Sequence, residues 1–385
     1  MGDSKAAARR EVEAIRDDLV ELSHRIHANP ELGWHEERSA AWTADALAAG
    51  GLDVSVPDGL PTAFVARAGS GPLHVAICAE YDALPSVGHA CGHNVIASAA
   101  VGAGRALARL ADDAGLTISV LGTPAEEGGG GKVVMLERGL FEGVHAAMMV
   151  HPAPFDDPSP NLIAAGRVEV AYTGKEAHAA AAPELGVNAA DALTLAQVAL
   201  GLLRQHVRGT DLFHGIVTKG GDAPNIVPAH TQADFYVRAS TLDDLEKLLP
   251  KVVRCFEAGA IATGATLSVR RDVTYAEVRT DPELAGIYRR NAEAIGRTFP
   301  SEEFLRGRFP ASTDFGNVSL AMPAVHPLIG IEAGGAANHQ PAFAAACATP
   351  SADRAIVDGA LAMAWTALDA AGDEAVRDRL MRRSA

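Results

Sequence analysis

The sequence predicts an α/β fold in which a helix-flanked mixed sheet forms one domain and a ferredoxin-like α+β domain is inserted into it. Nearly continuous apolar runs alternate with amphipathic stretches over the first part of the chain, as buried strands and their covering helices do. A β-α-β-β-α-β order follows between about residues 166 and 279. The α/β character then returns and ends in an Ala-rich helical stretch. At 385 residues the chain exceeds one core of ordinary size, so two domains are expected. We place the discontinuous domain at 1–165 and 280–385 and the inserted one at 166–279.

The elements follow from local pattern. Val12, Ile15, Leu19, Leu22 and Ile26 recur at helical steps and predict one amphipathic helix, ended by Asn29-Pro30. A second helix is expected from Arg38 to Leu47, stopped by Gly50-Gly51. Phe64–Ala68 and Leu73–Ala79 read as strands, followed by an Ala-rich helix over Gly92–Leu110. Thr117–Gly122 is another buried strand, then a helix near Val133–Arg138 and a strand over Ala146–Val150. Asp156-Asp157-Pro158-Ser159-Pro160 marks a loop where the character changes. In the inserted part, strands are expected at Arg167–Thr173, Phe213–Lys219, Thr231–Arg238 and Thr266–Val273. Helices are expected there at Asn188–His206 and Leu242–Gly259, and a final helix from Pro350 to Ala370.

Composition narrows the function classes. Hydrophobic residues make up 48% and charged residues 21%, as in globular proteins. The formal net charge is −15, and the only basic runs are pairs: Arg9-Arg10, Arg270-Arg271, Arg289-Arg290 and Arg382-Arg383. That argues against nucleic acid as a partner, because phosphate contact needs clustered cations. No apolar run approaches the roughly 20 residues of a membrane span, and the charged N-terminus does not read as an export signal. We therefore expect a cytoplasmic protein with no membrane partner. Cys78, Cys91, Cys255 and Cys347 are scattered, which argues for free thiols, metal ligands or a nucleophile rather than disulfides.

Three clusters at predicted strand ends carry chemistry. Cys91 and His93 sit two apart before a helix, in the run Gly88-His89-Ala90-Cys91-Gly92-His93-Asn94. A thiolate and an imidazole on one turn suit a zinc-type ion. A buried thiol beside an ordinary histidine is the competing reading. Glu126-Glu127 follow the Thr117–Gly122 strand. Adjacent carboxylates repel unless a cation lies between them; one can then bind a metal while the other acts as base towards a water. A solvated acidic turn would also explain them. The glycine run ending at Lys132 does not match a phosphate loop, since Val133 stands where Ser or Thr is needed. The third cluster is His151-Pro152, with a distant partner in Asn338-His339-Gln340-Pro341. Each histidine alone is weak among 14, but five potential ligands at strand ends form a site.

Together with Arg25-Ile26-His27-Ala28-Asn29-Pro30-Glu31-Leu32-Gly33 and Asp82-Ala83-Leu84-Pro85, these motifs resemble the aminoacylase and acetylornithine deacetylase superfamily of dinuclear metallopeptidases. The likeness is to its hippurate, indole-acetyl-amino-acid and p-aminobenzoyl-glutamate hydrolase branch. The run from Glu80-Tyr81-Asp82 through Asn94 looks most like the β-alanyl-lysine (Xaa-Arg) dipeptidase members. The resemblance implies a metal-dependent amidohydrolase with two divalent ions per subunit, zinc foremost, manganese or cobalt otherwise. It implies metal ligands Cys91 (bridging), His93, Glu127, His151 and His339, with Glu126 as general base. Asp82 becomes an orienting carboxylate. Glu80 stands where the wider superfamily places a metal-binding histidine, and Asn94 where branch members have aspartate.

The inserted domain also matches, in Gly174–Ala189 and Gly220–Pro228. By resemblance it is a lid and dimerisation domain in a homodimer. His178 would reach the active site of the partner subunit and steady the oxyanion, and Asn225 and Arg238 would hold a free carboxylate of a small amide substrate: an N-acyl amino acid, an aminobenzoyl-glutamate-like compound or a dipeptide. Ser312-Thr313-Asp314-Phe315-Gly316 matches a family segment and reads as wall of the site. Two other readings stand beside this one: a thiol hydrolase with Cys91 as nucleophile, and a metal-binding scaffold without turnover.

Overall fold

In a computed structural model of the protein, residues 2–305 and 311–382 are described; Arg383 of the last basic pair lies outside them. The chain divides into two compact units, Met1–Leu162 with Val278–Ala385, and Ile163–Glu277.

In the first unit the chain runs through α1 (Gly2–Ala14), α2 (Arg16–His27), α3 (Glu37–Ala49), β1 (Asp53–Ser55), β2 (Phe64–Ala68), β3 (Leu73–Ala79), α4 (His93–Ala108), β4 (Leu116–Gly122), α5 (Gly131–Glu137), β5 (Ala146–Met148) and β6 (His151–Ala153). The second unit holds β7 (Ala164–Thr173), α6 (Ala189–Leu203), β8 (Leu212–Lys219), β9 (His230–Ala239), α7 (Leu242–Thr263) and β10 (Thr266–Arg271). The chain returns to the first unit with α8 (Pro282–Ala294), α9 (Glu302–Leu305), α10 (Phe315–Ala321), β11 (Ala324–Val325), β12 (Leu328–Gly330), α11 (Pro341–Ala346), α12 (Pro350–Gly372) and α13 (Glu374–Arg382).

The first unit's main sheet has the order β1-β2-β4-β3-β5-β11. β4, β3, β5 and β11 run parallel, while β2 pairs antiparallel with β4 and β1 pairs antiparallel with β2, so the sheet is mixed as expected. β3 and β4 are buried along nearly their whole length, which is why they read as continuous apolar runs. α4 is buried on almost every side, which explains its alanine content. The C-terminal ends of β3 and β4, and the chain after β5, carry Glu80–Asp82, Glu126-Glu127 and His151. That is where parallel sheets assemble sites.

The second unit's sheet has the order β10-β7-β9-β8, all antiparallel. With α6 and α7 this is the ferredoxin-like arrangement. α6 is capped by the Asn188 side chain and α7 by Thr241.

Two details differ from the sequence reading. The expected first helix is broken at Ile15 (φ −104°, ψ 11°), yet Val12, Ile15, Leu19, Leu22 and Ile26 all remain buried. Burial of one face therefore tolerates the break. The expected strand Ala146–Val150 stops at Met148 and resumes as β6, because the chain switches to a second small sheet paired with β12.

Candidate metal centre

All five expected ligands lie in the first unit, and the structure brings them together. Cys91 is shared by two groups whose ligand atoms lie within 4.8 Å of one another: Cys91, His93 and His151, and Cys91, Glu127 and His339. The Cys91 Sγ is 3.4 Å from His151 Nε2 and 3.6 Å from His339 Nε2. Glu127 Oε2 is 3.6 Å from His339 Nε2, and its Oε1 is 3.9 Å from His93 Nε2.

Backbone conformations enforce this convergence. Gly92, between Cys91 and His93, adopts φ +78°, and a Cβ there would lie 2.8 Å from Pro152 Cγ and 3.1 Å from Cys347 Sγ. Only glycine fits the turn that presents both neighbours. Ala125 and His339 also take positive φ, +54° and +69°, beside the carboxylate pair and at a ligand. His339 is held by its N–H donating to Ala90 O at 2.8 Å.

The outer partners fix which nitrogen faces inward. Asp82 Oδ1 lies 2.9 Å from His93 Nδ1, and Pro152 O lies 2.9 Å from His151 Nδ1. Both oxygens only accept, so both Nδ1 atoms carry hydrogen and both Nε2 atoms are left to bind. Asp82 Oδ2 also accepts the Glu127 N–H at 3.0 Å. Asp82 thus orients a candidate ligand on each side of Cys91.

The donor set calls for positive charge. Burial, then the charges of Glu80 and Glu127, pushes Glu126 well above the usual carboxylate range. Burial lifts Glu127 to about 7 even though His93 opposes it. Burial and the Glu127 charge push the Cys91 thiol well above its ordinary value. Burial works against charge on His93, but Asp82 lifts it well above the usual imidazole range. Burial holds His151 down at about 3, neutral and ready to coordinate. The His93 Nε2 and Glu127 Oε1 atoms are buried without a hydrogen-bond partner. Protons held by a buried thiol and two carboxylates are what divalent cations displace. The residues present therefore fit metal ions.

The buried thiol also disfavours the nucleophile reading of Cys91, since the thiolate is the reactive form. Glu126 is 6% exposed, with one oxygen 3.9 Å from His93 Nε2. The remaining expected residues, His178, Asn225 and Arg238, lie in the second unit. His178 is exposed, and its Nδ1 accepts the N–H groups of Ala180 at 3.2 Å and Ala181 at 3.1 Å. Its backbone bridges Ile226, beside exposed Asn225. Arg238 is half-buried on β9, its guanidinium 5.4 Å from the Tyr236 ring centroid.

Sequence reasoning gave no role to Lys132 and His326 and read Asp314 only as wall. Lys132 is fully buried between Glu80 and Asp314. His326 is buried and stacks on His151 at 5.5 Å between centroids. The repeated Val-His-Pro of 150–152 and 325–327 was its signal.

The chain matches Peptidase family M20/M25/M40 over residues 76–362. It is 38% identical to the Xaa-Arg dipeptidase of Mus musculus over 383 residues, covering 95% of this chain and 88% of that one. It is 31% identical to a p-aminobenzoyl-glutamate hydrolase polypeptide of Escherichia coli over 283 residues, 68% of this chain and 59% of that one. Among solved structures, a dinuclear metal-binding peptidase of the M20 family from Bacillus subtilis superposes with TM-score 0.71 at 20% identity, over 94% of this chain and 99% of that one. The aminobenzoyl-glutamate utilization protein of Klebsiella pneumoniae gives TM-score 0.73 at 20% identity, over 93% and 97%. The chain belongs to the M20/M25/M40 peptidase family and is a metal-dependent amidohydrolase that uses divalent ions.

Proposed function

We propose that this enzyme hydrolyses the amide bond of dipeptides with a basic C-terminal residue, at a centre where Cys91, His93, Glu127, His151 and His339 would hold two metal ions. The observation that carries the reading is the pair of ligand groups sharing Cys91 beside buried Glu126. The substrate side rests on the likeness to the mouse Xaa-Arg dipeptidase, which spans nearly the whole chain. The thiolate and imidazole donors favour zinc, with manganese or cobalt as substitutes.

Bound metal ions would lower the pKa of a water and polarise the amide carbonyl. The chain's residues do the rest. His93 and His151 are held in the coordinating tautomer by Asp82 and by Pro152 O. Glu126, kept off the ligand set, takes the water's proton and passes it to the leaving amine. His178 accepts two backbone N–H groups at Nδ1, so its Nε2 carries hydrogen and donates to the developing oxyanion as a neutral group. Arg238 and Asn225 hold the substrate's carboxylate.

We also assign the second unit to homodimerisation. α6 exposes Leu195, Val198 and Leu202, and the sheet-edge strand β8 exposes Ile216. A long apolar edge strand left open is an aggregation hazard, and a partner subunit removes it. Leu202→Glu should then shift the sedimentation coefficient from dimer to monomer; an unchanged value would reject this surface. No helix among the described residues is long and apolar enough to cross a membrane. The four cysteines are free, in keeping with a cytoplasmic enzyme.

The deciding experiment compares wild type, chelated protein and Glu126→Gln on three substrate groups: dipeptides ending in Lys, Arg or ornithine, N-acyl amino acids, and p-aminobenzoyl-glutamate. We expect turnover chiefly on the first group, loss on chelation with recovery on adding Zn²⁺, and a fall of about 10²–10⁴ in kcat for Glu126→Gln with metal retained. Activity that survives chelation, or a fully active Glu126→Gln, would reject the mechanism. Preference for p-aminobenzoyl-glutamate would reject the substrate class.

A further inference from the structure

A second charged cluster lies against the metal centre, and none of the steps above uses it. Lys132, near the start of α5, has Nζ 2.7 Å from Asp314 Oδ1 and 2.6 Å from Glu80 Oε1. Its backbone N–H also donates to Asp314 Oδ2, at 2.8 Å. All three side chains are fully buried. Glu80 follows β3, and its other oxygen reaches the centre, 3.4 Å from His93 Nε2. An oxygen of Glu80, a nitrogen of His93 and an oxygen of Glu126 lie within 4.8 Å of one another, close enough to close on one ion. Glu80 is therefore a spare carboxylate beside a donor set that already holds a thiolate, three imidazoles and Glu127.

The charges do not cancel within this cluster. One ammonium faces two carboxylates, so one negative charge is in excess. Burial alone would neutralise both Lys132 and Glu80. At these distances Asp314 and Glu80 keep Lys132 an ammonium. A buried ion cluster is weak evidence for stability, since apolar residues of like volume often serve as well. Its position suggests a different use.

We infer that Lys132 is a positioning residue that tethers Glu80 and withholds it from the metal ions. Lys132 Nζ engages Glu80 Oε1, and Asp314 fixes Lys132 from the far side through both its ammonium and its backbone N–H. Glu80 then acts as a fixed negative wall behind His93, not as a further ligand. His93 Nε2 stays committed to the group it forms with Cys91 and His151, and Glu126 keeps its place beside that group without competition. The inference rests on the metal-centre reading above.

The test is a Zn²⁺ titration in competition with a chromophoric chelator, read as ions per subunit and Kd, with kcat and KM on the same preparations. Lys132→Met combined with Asp314→Asn removes one charge of each sign, so the cluster's net charge is unchanged. The asparagine oxygen can still accept the backbone N–H of residue 132. Only the tether is lost. We expect Zn²⁺ to bind about tenfold or more tightly as Glu80 joins the ions, the scale on which neighbouring groups alter metal affinity. We expect kcat to fall by a similar factor with KM little changed. Adding Glu80→Gln to this double variant should restore the wild-type Kd, a reversal that a merely structural cluster would not give. Glu80→Gln alone should keep the full complement of ions, and it decides the matter if the double variant does not fold. Loss of an ion from Glu80→Gln would make Glu80 a ligand and overturn the inference. So would a double variant whose Kd and kcat match wild type while wild type binds zinc. Wild type that takes up no zinc would overturn the metal-centre reading, and the inference with it.

Discussion

Asp82 accepts the Nδ1–H of His93 at 2.9 Å with one oxygen and the N–H of Glu127 at 3.0 Å with the other. One carboxylate thereby sets the direction of a candidate ligand on each side of Cys91. An asparagine has one acceptor oxygen for these two donors. Asp82→Asn should weaken metal affinity about 10–100-fold, the usual effect of losing such a partner. Equilibrium dialysis against Zn²⁺ measures it, and an unchanged affinity would remove Asp82 from the orienting role.

Gly92 tests the backbone side of the same arrangement. Its φ of +78° and the 2.8 Å approach to Pro152 Cγ leave no room for a methyl group. Gly92→Ala should destabilise the protein by about 1–3 kcal/mol and lower its zinc content, because Cys91 and His93 flank the strained residue. Urea unfolding with metal analysis of the purified variant would show both effects. A variant with normal metal content would mean that the turn can be distorted without moving its neighbours.

Much of this candidate centre was legible in the sequence because its candidate ligands fall at the ends of apolar strand runs. Cys91, His93, Glu127 and His151 each stand within a few residues of such an end or of the helix that follows. The order of the inserted strands and helices likewise foretold the sheet of the second unit, since each element carries its own period. Lys132 and His326 were not legible. A fully buried lysine looks like any surface lysine until the partners beside β3 and α10 are placed next to it, 52 and 182 residues away along the chain. The break at Ile15 was hidden because the apolar spacing continues through it.

In the proposed mechanism, His178 separates transition-state stabilisation from metal binding. The two N–H groups donated to its Nδ1 fix the ring as a neutral Nε2 donor. A donor aimed at an oxyanion contributes chiefly in the transition state. His178→Ala should lower kcat by about 10²–10³ while Zn²⁺ affinity stays at the wild-type value. Stopped-flow or steady-state kinetics on metal-loaded protein would reveal it. A change confined to KM would place His178 in substrate binding.

Glu36 couples the stability of the first unit to pH. Its Oε1 accepts the Ala125 N–H at 2.7 Å, just before Glu126, and its Oε2 is buried without a hydrogen-bond partner. Burial, then the charge of Asp82, raises its pKa from 4.5 to about 7. The folded state therefore binds more protons at this group than the unfolded chain does. Its contribution is fully present below the unfolded value of 4.5 and is lost as pH rises through about 7. The loss amounts to about 3 kcal/mol across that window. Glu36→Gln keeps the acceptor for Ala125 and has nothing to ionise. Relative to wild type, this variant should gain that amount between about pH 5 and about pH 8 in urea unfolding. Parallel pH profiles for the two proteins would show that Glu36 ionises normally in the fold.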